Sequence, residues 1–145
     1  RIMRQLFVVL ITILLNACVS MWDKDELLQL GTQSPTYKST IDYEKLNESL
    51  IKFFEKCYTS PIQLKMNGTN IASAQNFLKQ EKLNNGNIIW LTRRAQSKII
   101  YLLKVEVIND QNEPTLTAIA NSGMANIFDE LEYITKGGSP ICPVI

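Results

Sequence analysis

Apolar positions in this chain follow two different periods, and the places where the period changes divide it into elements. Tyr43, Leu46, Leu50, Phe53, Phe54 and Cys57 recur at helical spacing, which predicts a helix from about 42 to 57 with one apolar face. Thr40 stands where its N-cap would fall, with Asp42 and Glu44 in the first turn, where the helix dipole favours acids. Pro61 ends that pattern. Ile62, Leu64 and Met66 then alternate with Gln63 and Lys65 as a short strand, and Asn67-Gly68 signals a turn. Residues 70–83 are ambiguous. Ile71, Ala74 and Leu78 suit a helix, while the polar run before Asn84-Asn85-Gly86 suits one arm of a hairpin, and the extended reading is preferred. Ile88 to Thr92 reads as a strand. The clearest strand is Lys98 to Ile108, with Ile99, Tyr101, Leu103, Val105 and Val107 expected on one side and Lys104 and Glu106 on the other. A polar hairpin loop is expected over 109–114, and Thr115 to Ala120 returns as a strand. Met124, Ile127, Phe128, Leu131 and Ile134 form a second helical stripe, opening near Ser122 and stopped by Gly137-Gly138.

The order is therefore helix, several strands joined by tight turns, helix. Tight turns imply antiparallel neighbours, and two one-faced helices need an apolar surface to cover. The expected fold is α+β: a two-layer sandwich with a four- or five-stranded antiparallel sheet carrying both helices on one face. Residues 40–145 would form this domain. Residues 18–39, with Gly31, Ser34, Pro35 and Ser39 and no sustained stripe, read as a flexible linker in which 25–30 could form a helical turn or two.

Residues 1–17 have a different character. Arg1 and Arg4 precede Leu6–Leu15, a stretch without charge, and Asn16, Ala17 and Cys18 follow it at once. A basic start, a short apolar run and a small residue at the cut describe a secretory signal peptide. A transmembrane anchor would need about 20 apolar residues. Leu15-Asn16-Ala17-Cys18 resembles the bacterial lipobox, with Asn16 standing where Ala, Ser or Thr is commoner. The resemblance covers only these first 18 residues. It implies cleavage between Ala17 and Cys18, a diacylglycerol on the Cys18 sulfur, and a lipid-anchored protein of the cell envelope. Val19 lacks the Asp that retains such lipoproteins in the inner membrane, which favours the periplasmic face of the outer membrane.

Composition narrows the chemistry. The chain carries 15 Lys and Arg against 14 Asp and Glu. Cleavage would remove Arg1 and Arg4 and no acid, leaving 13 against 14 and a net charge of −1. Neither balance offers the clustered basic face that nucleic acid demands. With no histidine, Ser-His-Asp and Cys-His nucleophilic systems and mixed His/Cys zinc sites are excluded. No catalytic residue, metal site or cofactor is expected. Asn is abundant, which matches an AT-rich coding bias.

With Cys18 lipidated, Cys57 and Cys142 remain in an oxidising compartment, and a structural disulfide between the ends of the two helices is expected. Trp90, Tyr58 and Tyr101 could line a groove, although strand aromatics more often serve cores and cross-strand pairs. Asp129, Glu130 and Glu132 read as a solvated helix face. Glu81 and Glu106 could form a hydrolytic carboxylate pair only if folding brings them together in a cleft.

These features point to a non-enzymatic envelope lipoprotein that presents a protein-binding surface, as an accessory or assembly subunit of a secretion or envelope complex. Exposed sheet edges would be its docking sites. The alternatives are an inhibitor or immunity lipoprotein blocking a secreted enzyme through a projecting loop such as 109–114, and a carboxylate-based cell-wall hydrolase.

Overall fold

The computed structural model describes residues 20–95 and 97–143, so the predicted signal peptide and Cys18 lie outside the described residues. The elements are α1 (Lys24–Leu30), β1 (Thr32–Gln33), β2 (Tyr37–Lys38), α2 (Tyr43–Tyr58), β3 (Ile62–Met66), β4 (Thr69–Leu83), β5 (Gly86–Ala95), β6 (Lys98–Asp110), β7 (Glu113–Ala120) and α3 (Ile127–Thr135). The fold is α+β, as expected.

Strands β3 to β7 form an antiparallel meander, and the sheet order is β1-β7-β6-β5-β4-β3. Both β1 and β2 pair with β7, through Thr32↔Ala120 and Tyr37↔Leu116, making one interrupted edge strand. Pro35 cannot donate to a ladder. Ser34 bridges the gap: its N–H donates to the Ala118 carbonyl at 2.9 Å, and its hydroxyl accepts from the Ala118 N–H at 2.8 Å. Residues 70–83 are extended, within β4. The hairpin over 109–114 is tighter than expected. Strand pairing runs to Asp110↔Glu113, and Gln111 and Asn112 turn with φ of 50° and 62°.

Both faces of the sheet are covered, because adjacent strand residues point to opposite sides. On one face, Ile89, Leu91, Leu103, Val105, Val107, Leu116 and Ala118 pack with Leu46, Leu50, Phe53 and Phe54 of α2 and Ile127, Leu131 and Ile134 of α3. The predicted helices thus share one face. α2 begins one position beyond Asp42, whose side chain accepts from the Lys45 N–H at 2.9 Å. The cap is therefore Asp42, and Thr40 instead donates its N–H and hydroxyl to the Thr135 carbonyl, tying the start of α2 to the end of α3. α3 opens at Ile127, later than Ser122, after turns through 121–126. It closes as predicted: Gly137, at φ 83°, donates to Ile134, and Gly138 donates to Tyr133.

The opposite face corrects the reading of residues 18–39. Over the described part, from Ser20, the chain is folded and is not a linker. Asp23 and Glu26 form a reciprocal capping box for α1. Leu27, fully buried, packs with Ile88 and Trp90, flanked by Trp22, Tyr101 and Ile119. Gly31 then turns the chain into β1 where a Cβ would overlap the Ile119 side chain and the Leu27 carbonyl oxygen.

Strand β6 also departs from simple alternation. Leu91 pairs with Leu103 but Thr92 pairs with Tyr101, so Leu102 is an inserted bulge residue. The slip moves Ile99 and Tyr101 to the α1 side and places buried Ile100 and Leu102 where they were expected. It also frees carbonyls for Asn121, which is fully buried. Its N–H donates to Leu102 O at 2.8 Å, its side-chain amide donates to Tyr101 O and Ser20 O, and its Oδ1 accepts the Ser20 N–H at 2.9 Å.

Cys57 and Cys142 form a disulfide with a Cα–Cα distance of 5.1 Å, closing a sequence separation of 85 residues. It staples the segment after α3 to the end of α2.

Two expectations follow from this packing. Leu27→Ala should cost about 2–5 kcal/mol, the range for a fully buried leucine, read as a lowered urea midpoint; an unchanged midpoint would return residues 20–39 to linker status. Cys57→Ser should lower the melting temperature under oxidising conditions, since a loop of this length is worth about 4–5 kcal/mol in the chain-entropy model. Reduction of the wild-type protein should reproduce the shift.

Candidate functional site

Of the three aromatic residues singled out from the sequence, Trp90 and Tyr101 meet as a core pair and Tyr58 does not join them, so they line no common groove. Trp90 lies 2% exposed on the α1 side, edge-on to Tyr101 at 5.5 Å, with the Lys24 ammonium 4.8 Å from its ring centre. Tyr58 lies across the sheet at the end of α2, against Phe53 at 5.6 Å and Phe54 at 6.0 Å. Burial first, and then the Glu130 carboxylate, push its phenol from 10.0 up to about 12. Tyr37 is raised as well, by burial and then by Glu132 and Asp129.

The acids are dispersed, and the solvated-face reading fails at Glu130, which is half-buried with one carboxylate oxygen buried and without a hydrogen-bond partner among the described residues. Asp129 is exposed, and Glu132 pairs with Lys136 at 2.7 Å. Glu81 and Glu106 do share a face, flanking Ile88 in register, which sets their backbones about 10 Å apart across two strand spacings. They sit on a sheet face rather than in a cleft, and each has a partner. The Trp90 indole N–H donates to Glu81 at 3.3 Å, and Lys104 holds Glu106 at 2.7 Å. The tight Gln111-Asn112 turn leaves no projecting loop over 109–114. Among the described residues, no group of His, Cys, Asp and Glu could hold a metal ion, and no helix is long and apolar enough to cross a membrane.

The concave site lies elsewhere, between α2 and the β4–β5 hairpin. This groove has a volume of about 910 Å³. Tyr43, Asn47, Glu48 and Ile51 form its helical wall, and Gln80, Lys82 and residues 84–87 with Asn109 form the other. Its floor is an amide relay. The Asn87 side-chain amide donates to Asn47 Oδ1 and Gln80 Oε1, both at 3.2 Å, and Asn47 donates to the Tyr43 carbonyl at 2.9 Å. The side-chain oxygens of Asn87 and Asn109 are buried and have no partner among the described residues. A buried acceptor left unmet costs about 1–3 kcal/mol, so both favour a donor arriving from the groove.

The groove is bordered by an open strand edge. The ladder of β4 with β5 closes on Leu83↔Gly86 across a two-residue turn, which makes that pair the hydrogen-bonded one. Alternation then points the backbone groups of Leu83, Glu81, Lys79 and Phe77 at β5, and those of Lys82, Gln80, Leu78 and Asn76 away from it. On that outer side β3 pairs only with Thr69 to Ala74, and no backbone among the described residues meets Asn76 to Lys82. Exposed Lys79 and Lys82 are the edge lysines that discourage pairing with a second copy.

None of these groove residues was marked as a site in the sequence. Asn84-Asn85-Gly86 reads as a turn signal. The only trace was the abundance of Asn, whose clustering depends on strand register. Comparison with protein-family models, with characterised proteins and with solved structures gives no match.

The raised Tyr58 phenol has a stability consequence. Its contribution is complete below pH 10 and is lost as the pH rises to about 12, because the unfolded chain gives up that proton more readily. Melting temperatures measured between pH 10 and pH 12 should fall, and Tyr58→Phe should make the fall shallower. An identical slope in the variant would show that Tyr58 contributes nothing to it.

Proposed function

We propose that the protein is a membrane-anchored envelope lipoprotein acting as a non-enzymatic binding subunit, which takes up an extended segment of a partner protein along the outer edge of β4. The observation that carries this reading is the open edge from Asn76 to Lys82 beside the amide-lined groove. An added strand would gain main-chain hydrogen bonds from the edge, and its side chains on one face would enter the groove against α2. The buried oxygens of Asn87 and Asn109 accept from amide or hydroxyl donors on that segment. Glu44 and Glu55 of α2 favour basic side chains there, while Glu48 is held by Lys52 at 2.6 Å.

The anchor rests on the likeness of residues 15–18 to a lipobox. It is in keeping with a disulfide, a bond that persists in exported proteins. Cys18 would carry two or more acyl chains in its mature form, and two suffice for stable attachment where one is marginal.

A photo-cross-linking residue at Glu44, in the groove, should capture a defined envelope partner in cells. The same residue at Lys38, on the opposite sheet edge, should not. Lys82→Pro removes one outward N–H from the edge without touching the β4–β5 ladder, and should abolish the adduct while leaving the protein folded. Adducts of equal yield from both positions, or an adduct indifferent to Lys82→Pro in a folded protein, would remove the β4 edge as the docking site.

A further inference from the structure

The fold uses the chain almost up to the proposed anchor. Ser20 is held through its N–H and C=O by buried Asn121, its hydroxyl meets Ser122 at 2.5 Å, and the next two carbonyls are also engaged. Lys98 donates to Met21 O at 2.7 Å, and the Tyr101 N–H donates to Trp22 O at 2.9 Å. Cys18 is two residues before Ser20, so its Cα lies within about 7 Å of the Ser20 Cα whatever path the chain takes. A flexible linker over 18–39 would instead have allowed a root-mean-square reach of about 25 Å.

Exposed apolar side chains occur elsewhere too, at Leu30, Met66, Tyr133 and Ile141, but beside this point three more stand among cations. Met21 is 55% exposed, Ile99 50% and Phe77 43%. Arg94 pairs in register with Ile99 and stands over the Phe77 ring at 6.0 Å, and exposed Lys98 adjoins Met21. Apolar side chains interleaved with long cations suit the boundary between headgroups and acyl chains, where Arg and Lys lay their stems on apolar surface and keep their charge at the phosphates.

We infer that this end of the sheet, with Met21, Phe77, Arg94, Lys98 and Ile99, rests on the leaflet that holds the Cys18 acyl chains, so the domain stands on the membrane in one orientation. The inference rests on the lipoprotein reading and adds to it a lipid-facing surface.

The test uses the full, cell-processed protein in vesicles of phosphatidylethanolamine and phosphatidylglycerol. An environment-sensitive fluorophore is placed at Ile99→Cys or, as the distal control, at Glu113→Cys, both exposed positions. Iodide quenching at position 99 should fall several-fold from detergent-free vesicles relative to the same protein in dilute detergent, while quenching at 113 stays the same. The mass of the mature N-terminal residue is read on the same samples. An acylated Cys18 with equal iodide access at both positions overturns the orientation and leaves the anchor standing. A Cys18 without acyl chains overturns the lipoprotein reading, and the orientation with it.

Discussion

The buried amide of Asn121 joins segments that are far apart in sequence. Its side chain reaches Ser20 and Tyr101 while its backbone caps the carbonyl of the bulge at Leu102. A fully buried Asn is tolerated only when its donors and acceptors are met, and here both ends of the side chain are. The bulge and the amide depend on each other. Without the slip at Leu102, the carbonyls of residues 101 and 102 would not both be available to the start of the α3 connection. Without Asn121, the first described residues would lose their hold on the sheet, and α1 would lose one of the contacts that keep it over Trp90.

That constraint explains why the sheet has two apolar faces instead of one. β5 reads Ile88, Ile89, Trp90, Leu91, all buried, with successive residues serving opposite cores. β6 does the same on a smaller scale, with Tyr101 serving the α1 side next to Leu102 and Leu103 on the α2 and α3 side. A central strand buried on both faces loses the alternation by which half-buried strands are recognised. It therefore signals a second covering layer. That layer is α1, short and capped, and too brief to show a helical stripe of its own.

Much of the fold was legible where a long pattern met a clear stop. The helix from Tyr43 to Tyr58 and the close of α3 at Gly137 follow from apolar spacing and from one left-handed glycine. The Cys57–Cys142 bridge is the pairing expected of the two cysteines that remain once Cys18 is set aside with the lipobox-like segment. The parts that were not legible are those set by tertiary context. Thr40 and Asp42 are both capping residue types, and the choice between them depends on Thr40 being drawn to Thr135. The phase of Lys98–Asp110 depends on one inserted residue, which local sequence does not mark. The groove is built from Asn47, Gln80, Asn87 and Asn109, drawn from four elements or their ends, so no local motif could contain it.

The two surfaces singled out lie at opposite ends of the sheet. Ser20, Met21, Arg94 and Ile99 cluster where β5 ends and β6 begins. The groove lies where β4 turns into β5, beside Asn109 near the far end of β6. Ten residues of strand lie between Ile99 and Asp110, which sets them roughly 35 Å apart. On the proposed orientation, Phe77 at the near end of the β4 edge lies by the leaflet, and the stretch toward Lys82 beside the groove stands away from it, open toward the aqueous side. A domain on a long tether could offer its edge in any direction, including toward neighbouring copies. One held within two residues of its anchor presents that edge at a fixed height and heading, so part of the rotational freedom lost on binding is already lost before the partner arrives. A weak main-chain recognition mode, with few side-chain determinants of its own, gains most from such preorganisation.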